Sequence, residues 1–226
     1  MKLVLKNEEI ITACNALDLY IRFHLGQYDY VDSIFSVRGN GDNLEEYRKL
    51  KPQRMDLYQK IRDALIPAMQ GYGFAGSLGI HNRETDDKAR DAYDVLQCVR
   101  YEDTWLRHPE GGRYYEFWKP MICGRYPKPE CKASGEPDCP VVTIDLCKEQ
   151  MEIVAEAVEI NSCVLQRKIR EAFKYFTDRE ELLDIATEIE GLIKESIVPK
   201  EIGNADALLQ LVNEAMEGVD ETEDNP

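Results

Sequence analysis

Histidine and tryptophan are scarce, at three and two residues in a chain of 226. His24, His81 and His108 stand far apart, and none belongs to a G-x-S-x-G or Cys–His signature, so no nucleophilic triad can be read from spacing. Long hydrophobic runs are missing as well. Ile10 to Leu19 is broken by Thr12, Asn15 and Asp18, far short of the roughly 20 apolar residues that cross a bilayer, so no membrane partner is expected. The amino terminus, MKLVLKNEEI, places acids where a secretory peptide would continue its apolar run, and a cytoplasmic location is the expectation. Bases are outnumbered: 28 Lys and Arg against 43 Asp and Glu give a formal charge of −15, a field that repels duplex nucleic acid. A small anion remains acceptable, because two or three convergent arginines override a distant field locally.

What is present predicts an α+β fold of short strands packed with amphipathic helices, its C-terminal half mostly helical. Leu3 and Leu5 alternate with Lys2 and Lys6 as in a strand with one buried face. Asn7 is placed to cap a helix whose stripe runs Ile10, Cys14, Leu17, Ile21, Leu25, with Gly26 as its stop. Helical patterns follow over Asp29–Phe35 and Leu44–Met69, the latter broken at Pro52. After the glycine-rich stretch 71–79, Thr85 or Asp86 caps a helix that aligns Ala89, Tyr93, Leu96 and Arg100. Residues 113–119 alternate as a strand. Four prolines and two glycines make 121–140 read as a linker. The resulting division is a ligand-binding domain at 1–120, the linker, a mostly helical domain at 141–217 and an acidic tail at 218–226.

The second half echoes the first. Val142–Leu146 and the helical pattern that follows can be laid on residues 1–19 without a gap, so that Leu5 meets Leu146, Glu8 meets Glu149, Ala16 meets Ala157 and Asp18 meets Glu159. Short matches between strand–helix segments also arise by chance, and at this point duplication and coincidence both stand. In this alignment Cys163 occupies the place of Arg22.

Cys123, Cys131, Cys139 and Cys147 recur every eight residues, a spacing too wide for the paired thiolates of a structural zinc site, so no metal is expected. The loop 71–79 lacks the GK[ST] ending of a phosphate cradle, although its glycines would let backbone approach a ligand beside Tyr72 and Phe74. Arg22, one turn after Asp18, suits a surface ion pair. Arg100 ends an apolar line and needs either to snorkel or to meet an anion. Asn82 suits a helix cap or an amide contact to a nucleobase.

The strings Asn15-Ala-Leu-Asp-Leu-Tyr-Ile-Arg22 with Leu25-Gly-Gln27, Leu78-Gly-Ile-His-Asn82, Ala92-Tyr-Asp-Val95 with Val99-Arg100, and His108-Pro-Glu-Gly-Gly112 resemble, over residues 1–120, the Thoeris anti-defence proteins of phages and prophages. These are sponges that sequester a cyclic ADP-ribose immune signal. The resemblance implies a homo-oligomer with pockets between protomers that binds a cyclic nucleotide without cleaving it, needs no cofactor and works in the host cytoplasm. It also implies Arg22 and Arg100 on phosphates, Asn82 on the base or ribose, and Phe74 as a stacking face. The chain is about twice the length expected of that family. Two other classes stand beside it: a non-catalytic interaction or structural protein, and a nucleotide-hydrolysing enzyme.

Overall fold

The computed structural model describes residues 1–36, 42–73, 76–112, 117–193 and 199–220. It is an α+β protein with a mostly helical C-terminal half. In order, the elements are β1 (Lys2–Lys6), α1 (Asn7–His24), α2 (Asp29–Ser36), α3 (Asp42–Lys49), α4 (Lys51–Leu65), α5 (Asp87–Arg107), β2 (Glu130–Glu136), β3 (Cys139–Asp145), α6 (Lys148–Leu165), α7 (Ile169–Phe173), α8 (Glu180–Leu192) and α9 (Pro199–Asp220), with a 3-10 turn at Pro67–Met69 between α4 and α5. The three strands form one antiparallel sheet in the order β1-β3-β2.

The duplicated strand–helix unit is visible in three dimensions. Adding 141 to a residue number in the first unit gives its counterpart: Asn7 becomes Lys148 and His24 becomes Leu165, the bounds of two 18-residue helices. Both helices open with the N3 side chain turned back to the cap backbone, Glu9 to Lys6 N and Gln150 to Cys147 N. They also end alike. Gly26 N and Gln27 N donate to Phe23 O and Arg22 O, as Arg167 N and Lys168 N donate to Val164 O and Cys163 O. Gly26 (φ 73) and Arg167 (φ 64) are both left-handed, the conformation that lets a chain leave a helix sharply.

Strands β1 and β3 pair so that Leu3 faces Ile144, its own counterpart, which places an approximate twofold axis between these two residues. Leu3, Leu5, Val142 and Ile144 turn one face of the sheet into the core. Around the axis the helices repeat their contacts: α1 on α5 as α6 on α9, α1 against α6, and α4 against α8.

Several sequence expectations meet a different outcome. Asn7 is the first helical residue and Lys6 the cap, because the Glu9 carboxylate takes up the Lys6 N–H. The helix after residue 85 is capped by Asp86, which accepts from Lys88 N at 2.7 Å. The segment 121–140 is no linker: it holds β2 and the start of β3, joined by a two-residue turn at Pro137 and Asp138. A Cβ at Gly135 would stand 2.7 Å from Cys139 O, so the turn-rich composition serves a hairpin. Its approach, residues 123–125, is locked to α5. Asp94 accepts from Cys123 N and Gly124 N at 2.9 and 2.8 Å, and Asp91 accepts from Arg125 N at 2.6 Å. The expected strand at 113–119 falls partly outside the described residues, and residues 117–119 are not a strand. Cys14 is half-buried and Cys98 buried within their helices, as small hydrophobes are.

One buried ion pair braces the first half. Arg54 Nε donates to Asp32 Oδ1 at 2.7 Å with both side chains almost wholly excluded from solvent, and Tyr47 Oη donates to the same carboxylate at 2.8 Å while its ring stacks 3.5 Å from the guanidinium carbon. Asp32→Ala would strand the Arg54 charge, and we expect a loss of about 3–5 kcal/mol by urea denaturation. The double variant Asp32→Ala/Arg54→Met should recover most of that loss; if it does not, the charge pairing is not what holds this region.

Candidate functional site

Two helices deliver the predicted arginines to one carboxylate. Arg22, in the last turn of α1, donates from Nε to Asp18 Oδ2 at 2.8 Å and from Nη1 to Gln27 Oε1 at 2.7 Å. Its guanidinium lies 4.2 Å from the centre of the Tyr30 ring. Arg100, in α5, reaches the other oxygen of Asp18 at 3.7 Å. Asp18 therefore carries two cations, leaving one net positive charge on the three groups. Both arginines stay partly open to solvent, at 36% and 24% of their side-chain area. The seam between α1 and α5 continues through Cys14 to Asp103, Arg107 and Asn7. Burial pushes the Cys14 thiol up to about 12 despite the nearby Arg100 charge, so it remains a neutral thiol at physiological pH.

Asn82 makes its hydrogen bonds away from this pair. Asn82 is exposed in the turn before α5, where its Oδ1 accepts from Glu84 N at 3.0 Å and its carbonyl accepts from Arg90. Asn82 packs beside Arg90 near the start of α5, whereas Arg100 lies 13 residues along that helix from Asp87, about 20 Å of helix rise. Phe74 lies outside the described residues. Among the described residues no three His, Cys, Asp or Glu side chains gather as metal ligands. The ladder cysteines are scattered instead: Cys123 beside Asp94, Cys131 beside Cys98, Cys139 in the hairpin and Cys147 at the cap of α6.

Compared with known proteins, the chain matches no family model, no curated protein and no solved structure.

A second concave site was not anticipated from the sequence. A cleft of about 500 Å³ opens where the end of α1, the end of α4 and the start of α5 meet Tyr175 and Phe176 of the second half. Phe23, Tyr28, Tyr175 and Phe176 are its aromatic lining, with Phe23 and Phe176 stacked at 5.0 Å and the buried Phe173 packed against Phe23 and Tyr28. His24 packs edge-on against Phe176 and 4.6 Å from Tyr20, with Nδ1 3.7 Å from Asp86 Oδ2. The buried His24 Nε2 makes no hydrogen bond. A buried polar atom without a partner costs about 1–3 kcal/mol; the others among the described residues, on Arg54 and Tyr58, do not line this cleft, whereas His24 does. The signal that could have found this site is the duplication itself, carried past residue 19: His24 aligns with Leu165 and Ile34 with Tyr175.

Burial lowers the His24 pKa to about 4 from the ordinary 6.5, against the opposing pull of Asp86. Unfolding raises it back, so the unfolded chain binds the extra proton between these two values. Stability is therefore full above pH 6.5 and falls as pH drops toward 4, by about 3 kcal/mol for this group. His24→Leu removes the effect. Its stability advantage over the wild type, measured by urea denaturation, should widen as pH falls through that window; a constant difference would show that His24 is not held neutral.

Proposed function

We propose that the chain binds and sequesters an anionic small molecule of the cyclic ADP-ribose or cyclic nucleotide type without cleaving it, as a phage or prophage anti-defence protein, in the host cytoplasm. The observation that carries this reading is the convergence of Arg22 and Arg100, from two different helices, on the single carboxylate of Asp18. A guanidinium pair of this kind can exchange one acceptor for another: a pyrophosphate offers more oxygens and more charge than Asp18 does. Tyr30, already beneath Arg22, offers a face beside the phosphate position. Catalysis is not part of the proposal, since nothing in the arginine seam supplies a nucleophile: the one thiol within it, Cys14, is held protonated.

Asn82 is a more distant contact in this reading and would touch only the far end of a long ligand. Association into a homo-oligomer is included, with light scattering of the full chain as its test. A chain shortened near Pro120 is unsuitable for that purpose, because it would remove β3, the strand hydrogen-bonded to β1. A second reading, a protein-interaction role, is favoured by the exposed apolar side chains Trp118 and Met121, 71% and 60% open, with Trp105 nearby against Phe117.

The two readings predict different measurements. If the arginines hold phosphate, Arg22→Ala or Arg100→Ala should weaken binding of the cyclic nucleotide by about 1.5–3 kcal/mol in calorimetric titration, with little change in melting temperature. Asp18→Asn should tighten binding, because it removes the competing anion. The ligand should be recovered intact by mass spectrometry after the protein is heat-denatured. No binding by the wild type, or unchanged affinity in both alanine variants, defeats the sponge reading.

A further inference from the structure

We propose that the cleft between the two halves is a second binding site, separate from the arginine pair, and that it takes an organic ammonium ion with an apolar body. Three observations point to this class of ligand.

First, the lining is aromatic and aliphatic with acidic groups added. Phe176, Tyr175 and His24 line it together with Leu65, Ile66 and Pro67, and the exposed Glu84 and Asp86 add two carboxylates to the lining. Lys88, the one cation in the lining, is engaged with Glu156 at 2.9 Å, and Glu84 with the exposed Arg83 at 3.0 Å. Asp86 has no Lys or Arg partner among the described residues. Its Oδ1 caps α5, which leaves Oδ2 with only the His24 ring, 3.7 Å away and too far for a hydrogen bond. A carboxylate oxygen beside aromatic faces attracts an ammonium group and repels an anion.

Second, His24 does not oppose that charge. Its imidazole is kept neutral by burial, so a cation can occupy the space next to it.

Third, the molecule carries its own control. At the twofold-related position the same space is filled: Leu165, the counterpart of His24, packs with Ile34, the counterpart of Tyr175, and with Ala205. An aliphatic plug is therefore compatible with this framework and is what the second half uses. The first half instead holds a histidine and a cleft there, with the buried His24 Nε2 left unpaired. Retaining an unpaired polar atom where a leucine would fit is the mark of a site selected for something other than stability.

Titration of the isotopically labelled full chain with benzylamine, benzyl alcohol and benzoate at neutral pH, followed by amide NMR shifts, tests the proposal. Benzylamine should bind saturably, shift signals around residues 23–28 and 84–88, and bind at least about tenfold more tightly than benzoate, with the alcohol between them. Asp86→Asn keeps a residue type able to cap α5 and should weaken benzylamine about tenfold or more. His24→Leu, which copies the plugged half, should remove saturable binding while the protein melts at the same temperature or higher. Benzoate binding as well as benzylamine, unchanged affinity in Asp86→Asn, or no saturable shift with benzylamine would each overturn the proposal.

Discussion

The pairing of β1 with β3 is the constraint on which the rest of the molecule depends. It joins residues 2–6 to residues 141–145, so the ends of a loop of well over a hundred residues must meet before β1 is paired, whereas β3 already pairs with β2 in a local hairpin. What makes that closure favourable is the burial of Leu3, Leu5, Val142 and Ile144 beneath the helices packed on the sheet, α1, α5 and α9. Because Leu3 faces its own counterpart, each strand sends its helix away from the axis in an equivalent direction, and α1 and α6 meet back to back. Strand β2 then extends the sheet on the far side of β3, and the segment leading into it is tied to α5 through the Asp91 and Asp94 carboxylates. Burial raises the Asp94 pKa, while the two backbone N–H groups it accepts from act in the opposite sense.

The two halves share a backbone plan and divide the chemistry unequally. Asp32, which anchors Arg54, aligns with Phe173; Arg22 aligns with Cys163; His24 aligns with Leu165. In each case the first half has the charged or polar residue and the second the apolar or weakly polar one. A buried ion pair is seldom a net source of stability compared with an apolar substitute of similar size, so the second half represents the lower-cost solution to the same packing problem. The polar choices in the first half, made against that background, concentrate at the end of α1, where the arginine seam and the cleft lie on either side of one helix turn.

Much of this was legible in the amino-acid order, and the parts that were not share a cause. The stripe Ile10, Cys14, Leu17, Ile21 and the stop at Gly26 are local, so periodicity and a single left-handed glycine suffice to read them. The meeting of Arg22 with Arg100 rests on two such stripes packing together, and spacing alone did not place it. The hairpin at 130–145 was hidden because prolines and glycines that usually break structure here form its turn, and because its register is fixed by a strand far away in the chain. The cleft was hidden more completely. Its lining comes from residues 23–28, 65–68, 84–88 and 175–176, four segments with no shared motif, and each of its aromatic residues taken singly reads as ordinary core.

The chain's charge of −15 bears differently on the two sites. For the arginine pair it is an opposing field, and an anionic ligand must be held by direct, charge-assisted contacts whose range is a few ångströms. Such contacts persist in salt, whereas the repulsion from distant carboxylates is screened over about 8 Å at physiological ionic strength, so added salt reduces the opposition more than the contacts. For the cleft the sign is reversed: the same field draws a cation toward a lining that already includes Glu84 and Asp86, and salt weakens that attraction. Opposite salt dependences at two places on one chain follow from the geometry, because the acidic surface is common to both and only the groups within contact distance differ.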